Sequence, residues 1–132
     1  MSAELHRAIR SETDASRTVL ESTLYSREVG FDEIPSRIIA TAVSELARNI
    51  LKYADSGEIK LRRIKDYGRR GIEIEALDRG PGIEDCEAAM KDHFSSSGTL
   101  GMGLPGVKRM MDEFSLESTP GEGTRVTARK WI

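Results

Sequence analysis

The chain has 132 residues, of which 20 are Lys or Arg and 22 are Asp or Glu, giving a net charge of −2. This length predicts one domain over residues 1–132, and 38% hydrophobic with 32% charged residues is typical of a globular protein. The mixed charge argues against a nucleic-acid binder. No apolar run approaches the ~20 residues of a membrane span. The single cysteine, Cys86, excludes an internal disulfide. We therefore expect a soluble, cytoplasmic protein.

The N-terminal segment predicts a strand followed by a helix. Residues Leu5–Arg10 are compatible with a first strand. Asp14 is the expected N-cap of a helix that runs through Leu20 and Leu24 and stops at Gly30, because a carboxylate satisfies free N–H groups at a helix start and glycine commonly ends helices.

The next segment has the strongest helical periodicity in the sequence. A helix that begins near Asp32 or Ser36 places one apolar stripe at positions i, i+3, i+4, i+7 and i+11, namely Ile39, Ala42, Val43, Leu46 and Ile50. The helix is expected to end before Asp55-Ser56-Gly57, which is a turn signal.

The second half predicts strands with one buried and one solvated face, together with two shorter helices. In chain order, we expect strand Glu58–Ile64, a polar connection Lys65–Gly71, strand Ile72–Leu77, a loop from Asp78, a helix near Glu84–Lys91, a loop Asp92–Gly103, a helix Leu104–Phe114, the segment Ser115–Ser118, a turn at Pro120-Gly121 and strand Thr124–Trp131. This order predicts an α/β two-layer sandwich, with helices covering one face of a mixed, mostly antiparallel sheet.

Two polar residues on the strongly periodic helix are candidates for chemistry. Glu45 and Asn49 lie four residues apart and therefore project from one helix face, at the edge of the apolar stripe. The carboxylate could accept a proton from an attacking hydroxyl, and the amide oxygen could bind Mg²⁺. The alternative is a solvated glutamate paired with Arg48 and an ordinary helix-edge asparagine.

A second candidate is the loop that follows the second central strand, Asp78-Arg79-Gly80-Pro81-Gly82. Gly80 and Gly82 would let the backbone approach a flat ligand, and Asp78 at the strand end could accept a hydrogen bond from an exocyclic amine. The alternative is a plain turn, because Asp, Gly and Pro are the common turn residues.

The third candidate is the glycine-rich stretch from Ser95 to Leu104, which leads into a helix. Its backbone N–H groups and the positive end of the helix dipole would suit phosphate. Residues Gly101–Gly106 also spell a dinucleotide-binding pattern, but no predicted strand precedes them, and Lys108 lies one residue too late for a P-loop. The alternative is a flexible loop without a ligand. The late Gly121-Glu122-Gly123-Thr124 on its own indicates a hairpin turn.

The order and spacing of these motifs resemble the GHKL (Bergerat) ATPase family over nearly the whole chain, from Ile38 to Trp131. The segments Ser44–Ile50 and Gly101–Phe114 look like those of RsbT-type serine/threonine switch kinases of the bacterial stressosome, which are related to anti-sigma-factor kinases.

The resemblance implies a role for each matching residue. Glu45 would be the general base and Asn49 the Mg²⁺ ligand that bridges to ATP. The nucleotide contacts it implies are adenine recognition by Asp78, Gly80, Gly82 and Thr124, and phosphate binding by Gly98, Gly101 and Gly103. It also implies a STAS-domain phosphorylation substrate and, after release, binding and activation of a PP2C-type phosphatase in a partner switch.

The sequence departs from the related anti-sigma-factor kinases in one respect. Those kinases carry an arginine near the γ-phosphate in the glycine-rich loop, whereas Asp92–Gly103 contains no Lys or Arg. Arg48, Lys52 and Lys108 are the candidates for that charge, and the sequence does not choose among them. Two other functions fit the motifs, namely an anti-sigma-factor kinase that inhibits a sigma factor, and a nucleotide-gated binding module without catalysis.

Overall fold

The computed structural model describes residues 4–82, 90 and 103–132, and within them five strands form one sheet. In chain order the strands are β1 (Leu5–Ile9), β2 (Gly57–Asp66), β3 (Arg69–Asp78), β4 (Glu113–Thr119) and β5 (Gly123–Trp131). They are arranged in the order β1-β2-β3-β5-β4, and each described pair is antiparallel.

Three helices of the described residues accompany the sheet, namely α1 (Glu12–Val29), α2 (Glu33–Ala54) and α3 (Gly103–Met110). The predicted stripe of α2 is buried at all five positions, and it joins a single core with the inward residues Ile59, Leu61, Ile72, Ile74, Val126 and Ala128 of the sheet. The predicted α/β two-layer sandwich is confirmed. No helix in the described part of the chain combines the length and apolar character that crossing a membrane requires.

The start of α1 differs from the prediction. Ser11, and not Asp14, is the N-cap, because the Ser11 hydroxyl accepts a hydrogen bond from the Asp14 N–H at 3.2 Å. The Asp14 carboxylate lies in the first turn, where the helix dipole favours negative charge, and it accepts from the Arg10 N–H at 3.0 Å. Gly30 ends the helix as predicted, with φ of 124°.

The connection between β2 and β3 is shorter than the sequence suggests. The strands continue to Asp66 and from Arg69, which leaves only Tyr67 and Gly68 in the turn. Both turn residues have positive φ, 50° and 80°, as a two-residue type I′ hairpin requires. The longer hairpin fixes which residues of the two central strands face each other.

The predicted helix Leu104–Phe114 is too long at its C-terminal end. Helix α3 ends at Met110, and Phe114 belongs to β4, where it faces the core in strict alternation with exposed neighbours. The Asp112 N–H donates to the Arg129 carbonyl oxygen, so the chain has already joined the sheet there. The predicted helix Glu84–Lys91 and the glycine-rich loop lie outside the described residues, apart from Met90 and Gly103.

Candidate functional site

The centre of the candidate site is the contact between α2 and the start of α3. Glu45 is buried, with 5% of its surface exposed, although it is a carboxylate. Its Oε2 accepts a hydrogen bond from the backbone N–H of Gly103, the first residue of α3, at 3.2 Å. Its Oε1 lies 3.5 Å from Nη1 of Arg48. Two predicted site residues that are 58 positions apart in sequence are thus in direct contact.

Asn49 lies one turn after Glu45 on α2 and is half-buried. The i, i+4 spacing places Asn49 on the same helix face as Glu45, which contacts α3. The described residues contain no cluster of three or more His, Cys, Asp or Glu side chains that could hold a metal ion. Mg²⁺ commonly binds through one or two protein oxygens together with substrate phosphates and water, and the Asn49 amide oxygen is a donor suited to that arrangement.

The other end of the candidate site lies where β3 ends. Asp78 is the last residue of β3 and faces Thr124 of β5 across the ladder. Its Oδ1 accepts a hydrogen bond from the Gly80 N–H at 3.0 Å, which fixes the carboxylate at the start of the loop. The Thr124 hydroxyl lies 2.9 Å from that of Ser118. The structure therefore places Asp78, Gly80 and Thr124 together at the end of β3.

Helix α2 connects these two ends. A Cβ at Gly80 would lie 2.6 Å from the Cβ of Ala54, the last residue of α2, and one at Gly82 would lie 2.5 Å from the Thr119 carbonyl oxygen. Both positions therefore require glycine, because a side chain at either one would collide with other atoms of the protein. Their predicted contact with a flat ligand stays a prediction, and Gly98 and Gly101 lie outside the described residues.

A charged network that the sequence did not indicate lies on the face of the sheet opposite the described helices. Glu73 is 6% exposed and accepts hydrogen bonds from Nε of Arg62 at 2.7 Å and from Nε of Arg129 at 2.8 Å. Burial alone raises the pKa of Glu73, but the two arginines outweigh it and hold the pKa below its usual range. These residues line a cavity of about 410 Å³ on that face. The pairing becomes visible once the register is known, because Glu73 faces both arginines across the ladders.

Comparison with known proteins assigns the chain to a family. The family model described as "Histidine kinase-like ATPase domain" matches residues 8–130. The chain belongs to this family. The match includes the described site residues, Glu45 and Asn49 on α2, Gly103 on α3, and Asp78 and Thr124 at the other end.

Within the histidine kinase-like ATPases, this chain is similar to small bacterial kinases and anti-sigma factors. It is 53% identical over 107 residues to the serine/threonine-protein kinase RsbT of Bacillus subtilis, an alignment that covers 81% of this chain and 80% of the relative. It is 35% identical over 134 residues to an anti-sigma F factor of Thermoanaerobacter, covering 98% and 92% of the two chains. The predicted family, and the predicted class of serine/threonine protein kinase, are confirmed.

A solved structure supports the fold independently. The histidine kinase domain of a blue-light-activated histidine kinase from Erythrobacter litoralis superposes with a TM-score of 0.53 at 20% identity. The match covers 89% of this chain and 59% of that one. At this identity the likeness concerns the fold alone.

Proposed function

We propose that this protein is an ATP- and Mg²⁺-dependent kinase that phosphorylates a serine or threonine on a STAS-domain partner. The observation that carries the proposal is the buried Glu45 carboxylate, held at the first backbone N–H of α3. Glu45 lies next to the start of α3, so it places a proton acceptor beside a helix N-terminus, which attracts phosphate.

Glu45 would act as the general base. Its burial limits access of water to the carboxylate, and the Gly103 N–H holds one oxygen in place. An acceptor hydroxyl within hydrogen-bond reach of the carboxylate would lose its proton to it as the oxygen attacks phosphorus. General bases of this kind typically contribute about 10²–10⁴-fold to the rate.

Asn49 would provide the protein ligand for the metal ion through its amide oxygen. Mg²⁺, when bound, supplies positive charge that offsets the negative charge of the phosphate oxygens. The backbone N–H groups of Gly98, Gly101 and Gly103 would bind the phosphates, with Gly103 at the positive end of the α3 dipole.

Asp78 would recognise the adenine amine. Because its Oδ1 already accepts from the Gly80 N–H, the carboxylate is oriented and its second oxygen would accept the amine hydrogen. Gly80 and Gly82 would form the surface of the adenine loop, and Thr124, opposite Asp78 in the ladder, would support it.

The names of the relatives support the choice of partners. The relative with 53% identity is named a serine/threonine-protein kinase, and the group near 35% identity is named anti-sigma F factors. The higher identity favours a stressosome switch kinase, which phosphorylates a STAS-domain scaffold or antagonist and, once released, binds and activates a PP2C-type phosphatase. An anti-sigma-factor kinase is the second candidate, and binding to a sigma factor would distinguish it from the switch kinase.

Transfer of labelled γ-phosphate from Mg·ATP to a purified STAS-domain protein tests the proposal. Label on the partner, lost in Glu45→Ala and in Asn49→Ala, is the expected result. Binding of Mg·ATP without transfer to any STAS-domain substrate would instead indicate a nucleotide-gated binding module. Capture of a sigma factor in a pull-down, with no capture of a PP2C-type phosphatase, would indicate the anti-sigma-factor function.

A further inference from the structure

The proposed reaction needs a positive charge that the glycine-rich segment does not contain. A phosphoryl group in transfer carries negative charge on its oxygens, and kinases and related enzymes stabilise it with metal ions and with Lys or Arg. Residues 92–103 contain neither Lys nor Arg. Another element of the site could supply this charge, and three cations on α2 and α3 are the candidates.

We propose that Arg48 is the residue that stabilises the transferring γ-phosphate, an inference that rests on the proposed kinase function. Its Nη1 lies 3.5 Å from Oε1 of Glu45, whereas the Gly103 N–H donates to the other oxygen, Oε2. The Arg48 side chain is 47% exposed, whereas that of Glu45 is 7% exposed. The guanidinium is therefore more exposed than the proposed base that it contacts, so a phosphate group arriving from solvent could reach it.

The contact between Arg48 and Glu45 is long, so the guanidinium could leave the carboxylate for a phosphate group. At 3.5 Å it is at the outer limit of a hydrogen bond, and a guanidinium has five N–H donors, of which this contact uses one. Among the described residues, the structure gives Arg48 no second carboxylate partner. A phosphate group carries more charge than a carboxylate and accepts two parallel N–H bonds, so it would compete well for this guanidinium.

The other two candidates lie farther from the base. Lys52 is seven residues along α2 from Glu45, about 10.5 Å along the axis, and its ammonium lies 5.0 Å from the centroid of the Tyr53 ring. Lys108 lies in the last turn of α3, while the contact with Glu45 is made by the first residue of that helix. Arg48 is the one of the three for which the structure gives a contact with the Glu45 carboxylate, at 3.5 Å.

The step in which Arg48 acts is a direct transfer. The acceptor hydroxyl oxygen forms a bond to the γ-phosphorus, the bond from that phosphorus to the β–γ bridging oxygen breaks, and its electron pair leaves on ADP. The hydroxyl proton passes to Glu45 and then to water. The Arg48 guanidinium moves from the carboxylate toward the phosphoryl oxygens, which frees Glu45 to accept the proton.

The test compares Arg48→Ala and Arg48→Lys with the matched control Arg37→Ala. Arg37 is an exposed arginine of the same helix that pairs with Glu33 of that helix, so its removal deletes a comparable ion pair away from the site. Labelled-phosphate transfer to the STAS-domain partner is measured together with the affinities for Mg·ADP and for a non-hydrolysable Mg·ATP analogue.

We expect kcat to fall by about 10³-fold in Arg48→Ala, the lower end for loss of a catalytic arginine. The affinity for the ATP analogue should fall while that for ADP, which lacks the γ-phosphate, stays within about twofold. Added guanidinium ion should partly restore transfer by Arg48→Ala, which a purely structural role would not allow. Arg48→Lys keeps a cation near Glu45 and should remain folded, with a smaller loss of kcat.

The results that overturn the inference are distinct from those that overturn the function. Transfer by Arg48→Ala and Arg48→Lys within threefold of the wild type excludes Arg48 as the stabilising charge, and so does an equal loss of ADP and analogue affinity. If Arg48→Ala does not fold, the kcat of Arg48→Lys and its response to added guanidinium ion are judged by the same criteria. A wild-type protein that transfers no phosphate overturns the kinase function and this role together.

Discussion

Glu45 has two tasks in this structure, and a pair of substitutions can separate them. The carboxylate is the proposed base, and it also accepts the hydrogen bond of the Gly103 N–H, which fastens the start of α3 to α2. Glu45→Gln keeps an acceptor oxygen of nearly the same size but removes the basic group. Glu45→Ala removes both and leaves the buried N–H without its partner.

The expected magnitudes follow from the burial of this contact. Loss of a helix N-terminal acceptor costs about 0.5–2 kcal/mol, and a buried donor without a partner costs about 1–3 kcal/mol. We therefore expect Glu45→Ala to lower the free energy of unfolding by about 2 kcal/mol, and Glu45→Gln by less than half of that. Both variants should lose phosphate transfer by about 10²–10⁴-fold.

Urea unfolding and the labelled-phosphate assay, made on the same preparations, provide the two readouts. Equal stability of Glu45→Ala and the wild type would show that the contact with Gly103 contributes nothing to the fold. Transfer by Glu45→Gln close to the wild-type rate would refute the assignment of Glu45 as the base, whatever its effect on stability.

Two further predictions concern stability. The pKa of Glu73 is lowered in the folded protein, so its contribution is present above the ordinary value of 4.5 and is lost as the pH falls through the lower folded value. Glu73→Gln should lower the free energy of unfolding by about 2 kcal/mol at pH 7, because the hydrogen bonds from Arg62 and Arg129 to a charged group are lost. The difference in unfolding free energy between Glu73→Gln and the wild type should shrink in acid unfolding below pH 4.5. Gly80→Ala would place its Cβ 2.6 Å from the Cβ of Ala54, so we expect a loss of about 1–3 kcal/mol in denaturant unfolding, together with weaker binding of ATP.

The sequence predicts α2 well because the apolar residues that repeat with the helix period are the same residues that are buried in the core. Residues such as Ile39 and Leu46 repeat with the period of the helix and are completely or almost completely buried, so a pattern of hydrophobicity is sufficient to find them. Glu45 and Asn49 are found at the edge of that stripe for the same reason. The turn after the helix is equally local and is also predicted.

Helix α1 shows where such patterns fail. Its two most apolar candidates, Leu20 and Leu24, are 69% and 71% exposed, while its buried face includes Thr18, Ser22 and Ser26. Each of these hydroxyls donates to a carbonyl oxygen of the same helix, at 2.6–2.8 Å, so burial leaves no polar group without a partner. Hydropathy cannot predict this face because the small side chains, and not their polarity, allow α1 to pack closely.

The contact of Glu45 with Gly103 could not be predicted either, since it depends on how two helices far apart in sequence meet. It has a consequence for how any mutation in this site is interpreted. Helix α2 carries the proposed base, the proposed metal ligand and the end against which Gly80 packs, so the site and the core share one element. Loss of activity alone is therefore ambiguous at Glu45 and at Gly80. At Arg48, whose half-exposed side chain lies 3.5 Å from the Glu45 carboxylate, loss of transfer without loss of stability would report on the chemistry itself.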